Sequence, residues 1–222
     1  MIRLRRFVVV AAVAVALAQG TAMAERLVTD PGTCDARNDG TLGVGFEFKV
    51  AADTVVNALG IWDDNDDGLV GSHHVVIWNA GNQSNVANVI IASGTDTPLV
   101  GHFRWANMAL PVTLSVSATY RIMSYYNSDD PFRDHNPNPP YPLPSGQLPT
   151  FSSLLNSGVG VKAYFTNTSP SPAFPLGTGS WAIGHAYIGP NFSTVPIPEP
   201  GVLTLLVLGS LVMLGVPKRG RQ

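Results

Sequence analysis

The 222-residue chain is poor in charge. Only 13% of its residues are Asp, Glu, Lys or Arg, about half the ~25% of an average soluble protein. Its formal net charge of −2 excludes a basic nucleic-acid binder on charge alone. Cys34 is the single cysteine, so no intramolecular disulfide can form. Glutamate is nearly absent from the middle of the chain: between residues 25 and 197 only Glu25 and Glu47 occur. No H-E-x-x-H or H-x-H zinc pattern, no G-x-S-x-G nucleophile elbow and no P-loop occurs. Long amphipathic helical patterns are missing between the two ends. With 45% hydrophobic residues, however, the chain is not disordered as a whole.

The charge that is present is unevenly placed. Arg3, Arg5 and Arg6 open the chain, and Lys218, Arg219 and Arg221 close it. Residues 25–197 hold seven basic and fourteen acidic side chains, a net of −7. The ends and the middle are therefore different kinds of segment.

At the N-terminus, the three arginines precede the eleven-residue apolar run Phe7–Leu17, then Ala22-Met23-Ala24. A positive n-region, a short h-region and an A-x-A site with small side chains at Ala22 and Ala24 predict a signal peptide over 1–24. The run is too short for a spanning helix of ~20 residues. Signal peptidase is the expected partner, and Glu25 the expected mature N-terminus. An uncleaved anchor is the alternative.

The C-terminus, residues 198–222, reads PEPGVLTLLVLGSLVMLGVPKRGRQ. Gly201–Val216 has no charge, and as a transmembrane helix it would span roughly 24 Å. The basic cluster behind it stays on the cytoplasmic side, which puts the middle of the chain outside. Pro198-Glu199-Pro200, an apolar helix and a basic end together resemble the PEP-CTERM sorting signal of Gram-negative bacteria. The resemblance implies recognition by exosortase, transient anchoring in the inner membrane and delivery to the cell surface or extracellular matrix. An ordinary single-span anchor is the alternative.

Between these ends, period-two alternation dominates. Val44, Phe46, Phe48 and Val50 alternate with Gly45, Glu47 and Lys49, and Val112, Leu114 and Val116 with Thr113 and Ser115. Residues 120–125 alternate in the same way, and 55–62, 74–78, 86–92, 159–165 and 181–187 are further strand candidates. Such patterns mark strands with one buried face. Short strands between Asn, Asp, Gly and Pro clusters predict an all-β antiparallel sandwich over 25–189, with a jelly roll preferred to an immunoglobulin-like arrangement. Residues 190–197 read as a linker.

Within this region Ala58-Leu59-Gly60-Ile61-Trp62-Asp63, Asp67-Gly68-Leu69, His74–Trp78, Gly81, Trp105, Val112, Leu114, Thr119 and Tyr120 form a pattern. It resembles a domain-of-unknown-function family of secreted bacterial proteins over about residues 44–126, departing at Thr119. The resemblance implies a β-sandwich of the kind attached to carbohydrate-active or surface proteins, and it carries over no catalytic motif.

Two segments suggest chemistry. Asp63-Asp64-Asn65-Asp66-Asp67-Gly68 matches the D-x-N-x-D-G opening of calcium loops, with Asp63, Asn65 and Asp67 as ligands. Position twelve would be His74 in place of a bidentate Glu, and the flanks read as strands. The loop is thus a β-turn calcium site or a solvated turn. His73 and His74 should point to opposite faces of a strand and not share a metal. Residues 129–149 form a long Pro-rich segment surrounded by Tyr125, Tyr126, Phe132 and Tyr141, whose rings could stack on sugar faces. The chain therefore reads as a non-enzymatic envelope or matrix protein associated with polysaccharide. A secreted carbohydrate-active or other hydrolase, using a pair of Asp carboxylates, is the alternative.

Overall fold

In the computed structural model, the described residues are 25–33, 35–126, 130–135, 148–166, 171–178 and 185–198. The first strands are β1 (Val28–Asp30), β2 (Asp35–Arg37), β3 (Gly43–Phe48), β4 (Thr54–Trp62) and β5 (His73–Asn79). They are followed by β6 (Asn85–Ile91), β7 (Leu99–Val100), β8 (Phe103–Leu114), β9 (Tyr120–Tyr125) and β10 (Phe132–His135). The last are β11 (Thr150–Phe151), β12 (Lys162–Thr166), β13 (Gly177–Thr178), β14 (Ala186–Ile188) and β15 (Pro190–Ser193). One 3-10 turn, Asp64–Asp66, interrupts them. The described residues are all-β, and every named strand pairing is antiparallel.

A six-stranded sheet runs β13-β12-β3-β9-β5-β6, and a four-stranded sheet runs β15-β4-β8-β7. The pairings are nested in sequence: β3 with β9, β4 with β8, β5 with β6. The middle pair lies in the four-stranded sheet and the other two in the six-stranded one. Two smaller sheets, β14-β10-β2 and β1-β11, complete the structure.

The period-two pattern explains the core. Phe46 and Phe48 of β3, Val75 and Ile77 of β5 and Ile122 of β9 share one buried cluster with Leu59 and Ile61 of β4, Trp105 of β8 and Phe192 of β15. Phe48 meets Phe192 from the other sheet with ring centroids 5.7 Å apart. Each such side chain, fully buried, stabilises the fold by about 1.5–3 kcal/mol.

Two expected boundaries shift. Residues 190–193, read as linker, form β15, which pairs with β4 and is buried along its whole length. Asn107 then exchanges hydrogen bonds with the backbone of Ile197. The Pro–Asn–Phe–Ser sequence hides this strand, because proline at a strand's first residue reads as a breaker. Inside the Pro-rich segment, Phe132–His135 forms β10, the centre of the three-stranded sheet. The signal segment 1–24 and the expected helix 201–216 lie outside the described residues.

Candidate functional site

Beyond the end of β4, four loops and strand ends converge on an open cleft of about 320 Å³. β4 delivers Trp62 and then the acidic loop. The end of β1 contributes Asp30 and the residues to Thr33, the β7–β8 turn His102, and β10 Arg133.

The acidic loop is organised from below. Asp63 is 2% exposed and Arg104 5%. Arg104 Nε donates to Asp63 Oδ2 at 2.7 Å, while its other nitrogens donate to the carbonyls of Thr95, Thr97 and Asp66. Asp63 also accepts from the Gly68 N–H. Burial pushes the Asp63 carboxyl up, against the opposing pull of Arg104. Asp63 is therefore a brace for the loop, while Asn65, on the cleft lining, and Asp67, outside it, are exposed. Among the described residues, no three His, Cys, Asp or Glu side chains converge to hold a metal.

The rim is built on unusual backbone. Asn65 (φ 65°), Asp66 (φ 63°) and His102 (φ 66°) are three of the four non-glycine residues with left-handed φ among the described residues. Such conformations cost free energy and cluster where a site over-determines them, although Asn and Asp tolerate them best. His102 Nδ1 lies 3.0 Å from Asp66 Oδ2, joining two of the three. Trp62, 2% exposed, forms part of the cleft wall, and the Arg133 guanidinium lies 4.3 Å from its ring centroid. The arrangement presents carboxylates, an amide, an imidazole and a guanidinium around a wet concavity. It can hydrogen-bond a polyhydroxylated ligand from several sides.

Tyr125 and Tyr126 are each only 1% exposed, so neither offers a ring to solvent. Tyr126 lies in the core, its ring centroid 5.0 Å from that of His73 and 5.9 Å from that of Phe132. Tyr125 lies on the outer face of the six-stranded sheet, where its hydroxyl accepts from Trp78 Nε1 and donates to the Ala173 carbonyl. Burial pushes both phenols well above their ordinary range. Their apolar ring bodies are drawn under cover, a fate that sequence alternation cannot separate from display. His73 and His74 do face opposite ways: His73 is buried against Asp130 at 2.7 Å, and His74 reaches Asn88. Pro198 is the last described residue. Ala22, Ala24, Tyr141, Glu199, Pro200, Lys218, Arg219 and Arg221 lie outside the described residues.

Sequence reasoning missed Arg104 beneath the acidic loop and Arg133 and His102 in the cleft. A lone arginine between Phe103 and Trp105, in a chain so poor in charge, is the one signal that could have found the first. It also missed a buried cluster on the three-stranded sheet, where Asp134 accepts from His185 Nε2 at 2.8 Å and from Arg37.

Comparison with curated proteins and with solved structures finds no match to this chain. A family model does match, over residues 28–172, a span that contains the 44–126 pattern and most of the β domain. The chain therefore belongs to the family described as Domain of unknown function (DUF4082).

Proposed function

We propose that this chain is an exported envelope or extracellular-matrix protein, sorted by a PEP-CTERM tail through exosortase, whose β domain binds polysaccharide without turning it over. The nested pairing of β3/β9, β4/β8 and β5/β6 across two sheets supports reading the sandwich as a jelly roll. Loops gathered at one end of such a sandwich are a natural place for ligand contacts. The observation that carries the binding reading is the cleft. Asp64, Asp66, His102 and Arg133 line it, Asp66 and His102 on left-handed backbone, with the acidic loop held from beneath by the buried Asp63–Arg104 pair. Expected partners are signal peptidase, exosortase, the membrane through the C-terminal helix, and extracellular polysaccharide.

The carboxylates of Asp64 and Asp66 in one cleft favour a second reading, a carbohydrate-active hydrolase. One experiment separates the two. The full-length protein is incubated with extracellular polysaccharides, and retention and release of reducing ends are followed together. Binding without turnover, weakened about ten-fold in Asp64→Asn/Asp66→Asn at an unchanged melting temperature, is the expected result. Release of reducing ends that the double variant abolishes would establish the hydrolase. Retention unaffected by the substitutions would remove the cleft from the function.

A further inference from the structure

The two faces of β10 open on different spaces, because side chains along a strand alternate between faces. Arg133 lines the cleft of the acidic loop, whereas its neighbour Phe132 lines a second cleft of about 230 Å³. This second cleft lies where the three-stranded sheet meets β3 and β12 of the six-stranded one. Much of its lining is apolar. Val44 of β3 and Phe165 of β12 are cross-strand partners, and Leu42 precedes β3. Leu42 and Phe165 are only half-buried, so part of that apolar surface is left uncovered.

Three polar side chains line the same cleft: Arg37 of β2, Asp39 just after it, and Tyr187 of β14. The Arg37 guanidinium is pinned by two carboxylates, Asp134 at 2.5 Å and Asp39 at 2.6 Å. Asp134 is in turn held by His185. The Arg37 and Asp39 side chains stay 43% and 39% exposed, which leaves both able to bond outward. Tyr187 differs from them. It is only 8% exposed, and its ring stands edge-on to Phe132 and His185, with centroids 5.4 and 5.0 Å away. A buried tyrosine usually finds a partner for its hydroxyl. This hydroxyl has none among the described residues, and its oxygen is not sealed from solvent. Burial, then the charge of Asp134, pushes the phenol above its ordinary 10.0, so it keeps its proton at neutral pH and remains a donor.

The combination selects a ligand. Apolar ring surface takes the C–H face of a pyranose. A carboxylate beside a guanidinium offers an acceptor and a donor to neighbouring hydroxyls, and the tyrosine hydroxyl adds a third polar contact. The volume is below the ~300–1,000 Å³ of sites for drug-sized molecules and suits one sugar ring. An anion is disfavoured, because two carboxylates already surround the one guanidinium. A purely apolar ligand would cover the ion pair and the hydroxyl without bonding them.

We infer that this second cleft is a separate glycan-binding site that takes one uncharged pyranose residue, with Tyr187 donating to a sugar hydroxyl. It shares its ligand class with the proposed function but not its residues. Two sites on one body raise the avidity for a long polysaccharide beyond either alone.

The test uses the full-length protein in mild detergent, titrated with the methyl α-pyranosides of glucose, galactose and mannose, with binding read by saturation-transfer NMR. At least one should bind with a Kd of about 0.1–10 mM, the range of a single-ring ligand. Tyr187→Phe should weaken that binding about five-fold at an unchanged melting temperature, since the hydroxyl it removes holds nothing in the fold. Asp39→Asn, which alters an exposed pair, should act in the same direction. Both substitutions are read in the native chain and on Asp64→Asn/Asp66→Asn, so that occupancy of the first cleft does not enter. Weakening by either establishes the site. No binding up to about 50 mM, or binding indifferent to both, overturns it. Polysaccharide retention lost in Asp64→Asn/Asp66→Asn, with pyranoside binding indifferent to Tyr187→Phe and Asp39→Asn, overturns this site and leaves the first cleft standing. The opposite pattern removes the first cleft and leaves this one.

Discussion

Asp63 and Arg104 show how one residue's direction decides the meaning of a motif. The D-x-N-x-D-G spacing would have its first carboxylate face a cation in the loop, but Asp63 turns the other way, to a guanidinium that is itself buried. Asp63→Ala leaves Arg104 buried and unpaired, and removal of one partner from such a pair typically costs 3–5 kcal/mol. The expected outcome is a large fall in melting temperature that is the same in millimolar calcium and in chelator. Arg104→Met with Asp63→Leu, which removes both charges, should recover much of the loss. If the native protein instead melts higher with calcium than with chelator, and Asp63→Ala abolishes that difference, the loop is an ion site in solution. The measurement therefore separates a brace from a ligand, two roles that the sequence motif leaves indistinguishable.

The three-stranded sheet β14-β10-β2 concentrates titratable groups on short elements. Burial pushes the Asp134 carboxyl up, but hydrogen bonds from His185 and Arg37 outweigh it and hold the group below its ordinary 3.8. Burial and the neighbouring His185 lower His135 from its ordinary 6.5. Both groups bind protons less readily folded than unfolded. His135 therefore contributes stability that is present above pH 6.5 and lost as pH falls through its lower folded value. Asp134 adds stability above pH 3.8 that is lost at still lower pH. Melting temperature should thus fall as pH drops from 7.5 towards 5, and His135→Gln should flatten that slope by removing the group that titrates there. An unchanged slope in His135→Gln would assign the loss to other groups. Of this sheet only β14 was touched by a strand candidate, 181–187, whereas most of the large one was legible. β3, β4, β5 and β9 announce themselves because one face is apolar and the other is not, so a period of two is written into the residues. β2, β10 and β14 are short, β10 carries charged side chains into buried or half-buried positions, and they find their partners at long range, as Asp134 finds His185. The cleft was half legible for the same reason. The Asp-Asn-Gly loop is contiguous and could be read, but His102 and Arg133 reach it only through the topology.

At the scale of the whole molecule, the described domain ends where the proposed sorting signal begins. β15 pairs with β4, Asn107 fixes Ile197, and Pro198 is the next residue. Only Pro198 of the three-residue motif lies among the described residues, and it follows a backbone position that the fold holds in place. A membrane enzyme acting at Pro198-Glu199-Pro200 would thus find its target directly after the folded body, with no long flexible tether between them. Proline disfavours helical geometry in the residue before it, which suits recognition of an extended segment by a processing enzyme. Replacing Pro198 and Pro200 by Ala removes that restriction and leaves the apolar run and the basic end unchanged. Export and folding should be preserved, while an unprocessed, membrane-held precursor accumulates in the inner-membrane fraction. Deleting Lys218, Arg219 and Arg221 should act differently, by weakening retention of the chain's end on the cytoplasmic side. Fractionation with an antibody to the β domain reads both variants at once. Native-like release of the proline double variant would show that the motif is incidental, and membrane retention of native and variant chains alike would show that the tail is an ordinary anchor, leaving the β domain displayed on the membrane.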